Sequence, residues 1–126
     1  KRADAIIGVS GPQTITRAHI ETMARSAIVF ALANPVPEIL PDDAFRAGAY
    51  VVATGRSDYP NQVNNALVFP GIFRGALDKG VRKITDEMKL AAAKKIASLV
   101  KKPTAGEIVP KVTLPGLVKA VASVIR

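Results

Sequence analysis

Cysteine is absent from the 126 residues. Its absence excludes disulfides, a thiol nucleophile and thiolate metal sites, and it agrees with a cytoplasmic location. No apolar run approaches the roughly 20 residues needed to cross a bilayer. No positively charged segment followed by an apolar stretch opens the chain. Aromatic residues number only six, four Phe and two Tyr. Neither Tyr lies within a basic cluster, as a base-stacking platform requires. Metal-binding, phosphate-loop and nucleophile-elbow motifs are all missing. An initiator Met is missing as well, since the chain opens at Lys1-Arg2 and enters a strand-like run almost at once. The expectation is a piece of a longer polypeptide.

What is present in excess is positive charge. The net charge is +8 and the pI is near 10.1, a balance that raises the possibility of nucleic-acid binding. Much of the excess sits in Lys94, Lys95, Lys101 and Lys102, at the end of an expected amphipathic helix. Charge runs of this kind normally lie on solvated faces. Nucleic acid is therefore not the expected partner, and a membrane is not expected either.

Short apolar runs alternate with helical patterns. Ala5 to Val9, Ala27 to Leu32 and Tyr50 to Thr54 read as strands buried on both faces. Thr16 is placed to cap a helix over Arg17 to Arg25. Leu40-Pro41-Asp42-Asp43 opens a short helix that Gly48 stops. Helices are expected over Ile72 to Leu77, from Thr85 onward, and from Pro115 toward Ile125. In the Thr85 helix, Met88, Ala91, Ala92, Ile96 and Leu99 share one face. The order β-α-β-α-β-loop-α-α-α argues for an α/β fold with a parallel sheet of about three strands. So thin a sheet needs cover, from another part of its own polypeptide or from a second copy.

The chemistry-bearing residues cluster after the strands, where an open α/β sheet keeps its ligand. Asn34 follows the second strand and precedes a proline. A carboxamide there can donate and accept at once, although Asn-Pro is also a common turn. Asn64 and Asn65 precede an apolar run. They can orient a small polar ligand or cap a helix start. Ser10-Gly11-Pro12 follows the first strand, and Gly11 leaves the backbone open to close approach. The same three residues also suit an ordinary turn. In Gly55-Arg56-Ser57, Arg56 can pair with a ligand carboxylate or phosphate, or with Asp58. His19, the one histidine, reads as a packed or solvated helix residue. Asp42-Asp43 and Asp86-Glu87 read as helix caps, because neighbours on a helix do not face each other.

From Ala3 to Gly80 the chain resembles the later part of the cofactor-binding domain of malic enzymes, especially the compact bacterial type. The resemblance lies in Ile7-Gly8-Val9-Ser10-Gly11-Pro12, in Phe30-Ala31-Leu32-Ala33-Asn34-Pro35, in Gly55 through Asn65, and in Phe69-Pro70-Gly71-Ile72-Phe73-Arg74-Gly75-Ala76. It implies a partial doubly wound, Rossmann-like sheet, with residues 1–126 as the C-terminal portion of an NAD(P)-binding domain and 85–126 as closing helices. It also implies oxidation of malate with NAD or NADP, then decarboxylation to pyruvate and CO2 with a divalent metal, Mg or Mn.

By the same resemblance Asn34, Asn64 and Asn65 are substrate-binding, and Ser10, Gly11, Asn34 and Gly55 line the cofactor. The family's catalytic Tyr and Lys, its acidic metal ligands and its Gly-rich loop belong to upstream segments. No catalytic residue and no metal ligand is therefore expected within Lys1 to Arg126. The chain alone is expected to be inactive, with the N-terminal remainder of the enzyme as its partner and a homo-oligomer as its assembly. The competing expectation, from a different class, is a stand-alone nucleotide- or nucleic-acid-binding module that uses the basic face.

Overall fold

The computed structural model describes residues 1–126, which divide into two compact units. The first is Lys1–Val63 with Thr104–Glu107, and the second is Asn64–Pro103 with Ile108–Arg126.

The first unit carries β1 (Ala5–Gly8), α1 (Arg17–Glu21), β2 (Ala27–Ala31), α2 (Pro41–Arg46) and β3 (Ala49–Thr54). The three strands form one sheet in the order β1-β2-β3, with both pairings parallel. Period-2 alternation decides which residues meet. Ile6, Val29 and Val52 lie in register across the sheet. They pack with Ile15, Ile20, Ile39 and Ala44 into one apolar core. Val29 is fully buried, and burying a valine side chain is worth about 1.5–3 kcal/mol. Ile20 of α1 and Ala44 of α2 both enter this core, so both helices lie on the same face. On the alternate rows Ile7 and Ile28 stay 67% and 38% exposed. Strand order that advances one way, with helices on one side, is what one half of a doubly wound sheet looks like.

Local chemistry shortens some expected elements. Strand β1 ends at Gly8, and Val9 lies exposed beyond it. Helix α1 stops at Glu21, not Arg25, because the Thr22 hydroxyl and N–H both turn back onto the His19 carbonyl. The chain must then reach the sheet, and the Ala24 N–H already bonds the Ala3 carbonyl at 3.0 Å. Thr16 caps α1 as expected, and His19 completes a capping box by accepting from the Thr16 N–H at 3.2 Å. Gly48, with φ +100°, takes the chain out of α2 in a conformation that side chains disfavour.

The second unit begins with a 3₁₀ turn at Asn65–Leu67, followed by α3 (Phe69–Lys79), α4 (Asp86–Ser98) and α5 (Leu117–Ala122). Helix α3 starts three residues before its expected start. Pro70 occupies the first turn, where its missing N–H is no loss. In α5 the expectation needs the opposite correction. Pro115 lies outside the helix, and Gly116 at φ +84° is its N-cap. Thr85 caps α4 by accepting from the Met88 N–H. Ala92 and Ile96 of α4 are buried against Leu117, Val121 and Ile125.

Helix α5 lies in a groove made by Gly71 and Gly75, one turn apart on α3. A Cβ on Gly71 would come within 2.4 Å of Val121, and one on Gly75 within 2.7 Å of the Ala122 carbonyl oxygen. Lys79 then closes the far end of α5, with its ammonium 2.6 Å from the Ile125 oxygen and 3.3–3.4 Å from those of Ser123 and Ala122. A cation on the last carbonyls of a helix satisfies them and opposes the dipole.

Candidate functional site

Because all three strands run the same way, their carboxyl ends share one edge of the first unit. Three loops leave that edge: the turn at Ser10, the segment Leu32 to Leu40, and the loop from Gly55 to Val63. Glu38 joins the first two. Its side chain has no exposed surface, and both carboxylate oxygens are engaged. Oε1 accepts from the Ser10 N–H at 2.7 Å and from the Ser10 hydroxyl at 3.2 Å. Oε2 accepts from the Ala33 N–H at 3.0 Å. None of the ion pairs includes Glu38. Burial alone would raise its pKa. The N–H donors of Ser10, Ala33 and Glu38 itself, with the Ser10 hydroxyl, outweigh burial and hold it below the ordinary glutamate value. The carboxylate lies directly over Gly8, where a Cβ would come within 2.7 Å of its carboxyl carbon.

The Ser10 turn is braced from its other side. The Ser10 and Thr14 hydroxyls are 2.9 Å apart, and Thr14 donates to the Gly11 carbonyl at 3.0 Å. Gly11 itself faces open space, and a Cβ on it would meet nothing within 4 Å. Asn34 follows the Glu38-bound Ala33 and is exposed, joined to Pro35 by a cis peptide bond. Its carboxamide lies across Gly55 at the end of β3. A Cβ on Gly55 would meet the Asn34 amide nitrogen at 2.7 Å. The structure therefore brings Ser10, Gly11, Asn34 and Gly55 to one edge.

Arg56 takes the second of its two expected roles. It holds Asp58 with two hydrogen bonds of 2.8 and 2.6 Å, and its guanidinium lies 5.4 Å from the Tyr59 ring centre. That hydrogen-bonded pair lowers the Asp58 pKa. The loop then returns to its origin. The Val63 N–H bonds the Thr54 carbonyl at 2.8 Å, and buried Asn61 donates to the Val52 and Ala105 carbonyls at 3.1 and 2.8 Å.

Asn64 and Asn65 belong to the second unit. Asn64 Oδ1 accepts from the Ala66 N–H at 3.0 Å and so caps the 3₁₀ turn, while Asn65 lies exposed in its first position. The acidic pairs are not caps. Asp42 and Asp43 lie in the first turn of α2, whose N-cap is Leu40. Asp86 and Glu87 follow the true cap, Thr85. Asp43 pairs with Arg17. His, Asp and Glu side chains are nowhere gathered in threes as a metal would need.

Sequence reasoning passed over Glu38 and Asn61. For Glu38 a signal was present. It is a lone acid in Pro35-Val36-Pro37-Glu38-Ile39-Leu40, with no cation nearby in sequence, and acids are almost never fully buried without partners. Asn61 offered no comparable signal among the four carboxamides of its loop.

Residues 1–124 match the family model described as malic enzyme, NAD binding domain. An NAD-dependent malic enzyme of Geobacillus stearothermophilus is 57% identical over 112 residues, covering 87% of this chain and 23% of that protein. An NADP-dependent malic enzyme of Escherichia coli (strain K12) is 57% identical over 99 residues, covering 77% of this chain and 13% of that protein. The crystal structure of a malic enzyme from Pyrococcus horikoshii Ot3 superposes with a TM-score of 0.91 at 55% identity, covering 99% of this chain and 29% of that one. The chain thus spans less than a third of the length of these relatives.

Proposed function

Since the chain belongs to the malic enzyme family through its NAD-binding domain, we propose that it supplies one half of a nicotinamide-cofactor site in an enzyme that oxidises malate and releases pyruvate and CO2. The observation that carries this reading is the edge just described. Ser10-Gly11 offers open backbone at the end of β1, and Asn34 is laid across Gly55 at the ends of β2 and β3. Ligands of an open α/β sheet lie outside the carboxyl ends of its strands, where open backbone allows close approach and a few polar groups, here the Asn34 carboxamide, can fix orientation.

In this proposal Ser10, Gly11 and Gly55 line the cofactor. Asn34 serves both cofactor and substrate, donating through Nδ2 and accepting through Oδ1. Asn64 and Asn65 bind malate, Asn65 by its exposed side chain. When bound, NAD or NADP would supply a hydride acceptor and a divalent metal, Mg or Mn, would supply Lewis-acid polarisation for loss of CO2. The acid, the base and the metal ligands are supplied by the larger polypeptide. Relatives of this chain include both NAD- and NADP-dependent enzymes, and the residue near the ribose that sets this choice follows the Gly-rich loop, which residues 1–126 do not contain. The enzyme is taken as cytoplasmic, in keeping with the absence of cysteine, and as a homo-oligomer, which the exposed row Phe69, Phe73 and Leu77 on α3 suits.

The test is malate-dependent reduction of NAD and NADP. The whole polypeptide should turn over, and Asn34→Ala should lower kcat/KM for malate by about tenfold or more, the scale of a lost hydrogen bond to a charged ligand. The 126-residue chain alone should reduce neither cofactor. Turnover by that chain, or full activity in Asn34→Ala, would overturn the reading.

A further inference from the structure

Glu38 is the one fully buried acid of the chain, and no role in the proposed reaction calls on it. It carries a charge that no cation neutralises, at a point where two loops part company. A group of this kind is costly to bury, so its retention calls for a physical reason. Its three bonds supply one. They go to Ser10 N–H, Ser10 Oγ and Ala33 N–H, the residues that begin the Ser10-Gly11 turn and immediately precede Asn34. Each oxygen serves a different strand tip.

We propose that Glu38 is a positioning residue for the cofactor site, a buried strut whose carboxylate fixes the spacing between the Ser10-Gly11 turn and Asn34. This rests on the cofactor role proposed for that edge. Helices and the sheet set the strand spacing, but both tips lie beyond the last ladder positions, Gly8 and Ala31. Past those positions backbone bonds join Leu32 to Gly8, and again Gln13 to Pro37 and Ile15 to Glu38, and between them the carboxylate links the Ser10 turn to Ala33. Gly8 is the other half of the device. It keeps the floor under the carboxylate free, since a methyl there would lie 2.8 Å from Oε1. Only an acceptor at both oxygens satisfies the arrangement, because every neighbour donates. In Glu38→Gln, one end must present an NH₂ to an N–H. If the amide oxygen keeps Ser10, the Ala33 bond is lost and the Asn34 tip is released.

The experiment is steady-state kinetics of the whole polypeptide at saturating malate, with cofactor varied, for wild type, Glu38→Gln and Gly8→Ala. Thermal midpoints are recorded alongside. The second variant displaces the carboxylate without changing its charge, so it tests the geometry should the first fold poorly. The expected result is a rise in cofactor KM of about tenfold or more in both variants, the scale of one lost charged hydrogen bond, with kcat within a few-fold of wild type. A purely structural role gives another pattern: a lower thermal midpoint, kcat reduced with the folded fraction, and unchanged KM. That pattern in either variant would overturn the proposal. A wild-type polypeptide that reduces no cofactor with malate would instead sink the cofactor reading, an outcome distinct from a failure of Glu38 alone.

Discussion

Glycine does opposite work in the two units. In the first, Gly8 and Gly55 clear space for polar side chains, the Glu38 carboxylate and the Asn34 carboxamide. In the second, Gly71 and Gly75 clear space for Val121, Ile125 and the backbone of α5. One pair shapes a polar edge, and the other allows two helices to approach closely. Damage to the two pairs should therefore show in different measurements. Defects in the helical unit should appear as lost stability, whereas defects at the strand tips should appear chiefly in ligand binding.

The sharpest expected effect lies in the helical unit. Ile125 is its largest fully buried side chain. Ile125→Ala should destabilise it by about 2–5 kcal/mol, the sum of lost transfer energy and a residual cavity, read from a denaturant midpoint. A loss below about 1 kcal/mol would show that the unit collapses around the gap. Gly75→Ala comes next. Its methyl meets the Ala122 carbonyl oxygen, a backbone atom that cannot swing aside. Overpacking costs about 1–3 kcal/mol, and better helix propensity returns about 1 kcal/mol, so a net loss is expected. A gain in stability would mean that α5 shifts freely, and the comparison between the two glycine pairs would fail. Thr85→Ala should cost about 1 kcal/mol through loss of the α4 cap, with no change in cofactor affinity.

The polar edge should show a pH signature instead. Because the folded pKa of Glu38 is lowered, its stabilising contribution is fully present above the unfolded glutamate value of about 4.3. It is lost as pH falls below that value toward the lower folded pKa. Acid titration of stability should therefore be shallower in Glu38→Gln than in wild type. Identical acid limbs would show that the carboxylate is no better stabilised in the fold than in the unfolded chain.

The sheet was legible in the sequence because its signal is coarse. Three apolar runs, Ala5 to Val9, Ala27 to Leu32 and Tyr50 to Thr54, located the strands to within a residue at either end, and strand–helix alternation pointed to the parallel order. Helix ends were harder to read. Arg17 to Arg25 has helical composition throughout, yet the Thr22 side chain competes for the His19 carbonyl and ends α1 early. The third helix was expected only from Ile72, yet it takes in Pro70 in its first turn, while Pro115 was expected to open the last helix and lies outside it. The strand-tip residues Ser10, Gly11, Asn34 and Gly55 were visible as motifs. Glu38, which holds two of the tips, gave only the faint sign of an acid with no cation near it in sequence. Its partners are 28 residues away at Ser10 and on a backbone N–H at Ala33, and backbone donors leave no trace in a side-chain pattern.

The most direct measurement is a calorimetric titration of the whole polypeptide with NAD and NADP, comparing wild type with Gly11→Ala. The added methyl meets nothing in the fold, so the thermal midpoint should not move. If the Ser10-Gly11 turn lines the cofactor, the affinity for whichever cofactor binds should fall by about tenfold, the scale of a mild steric clash. Unchanged affinity with unchanged stability would contradict the account, because the open space above Gly11 would then hold no cofactor.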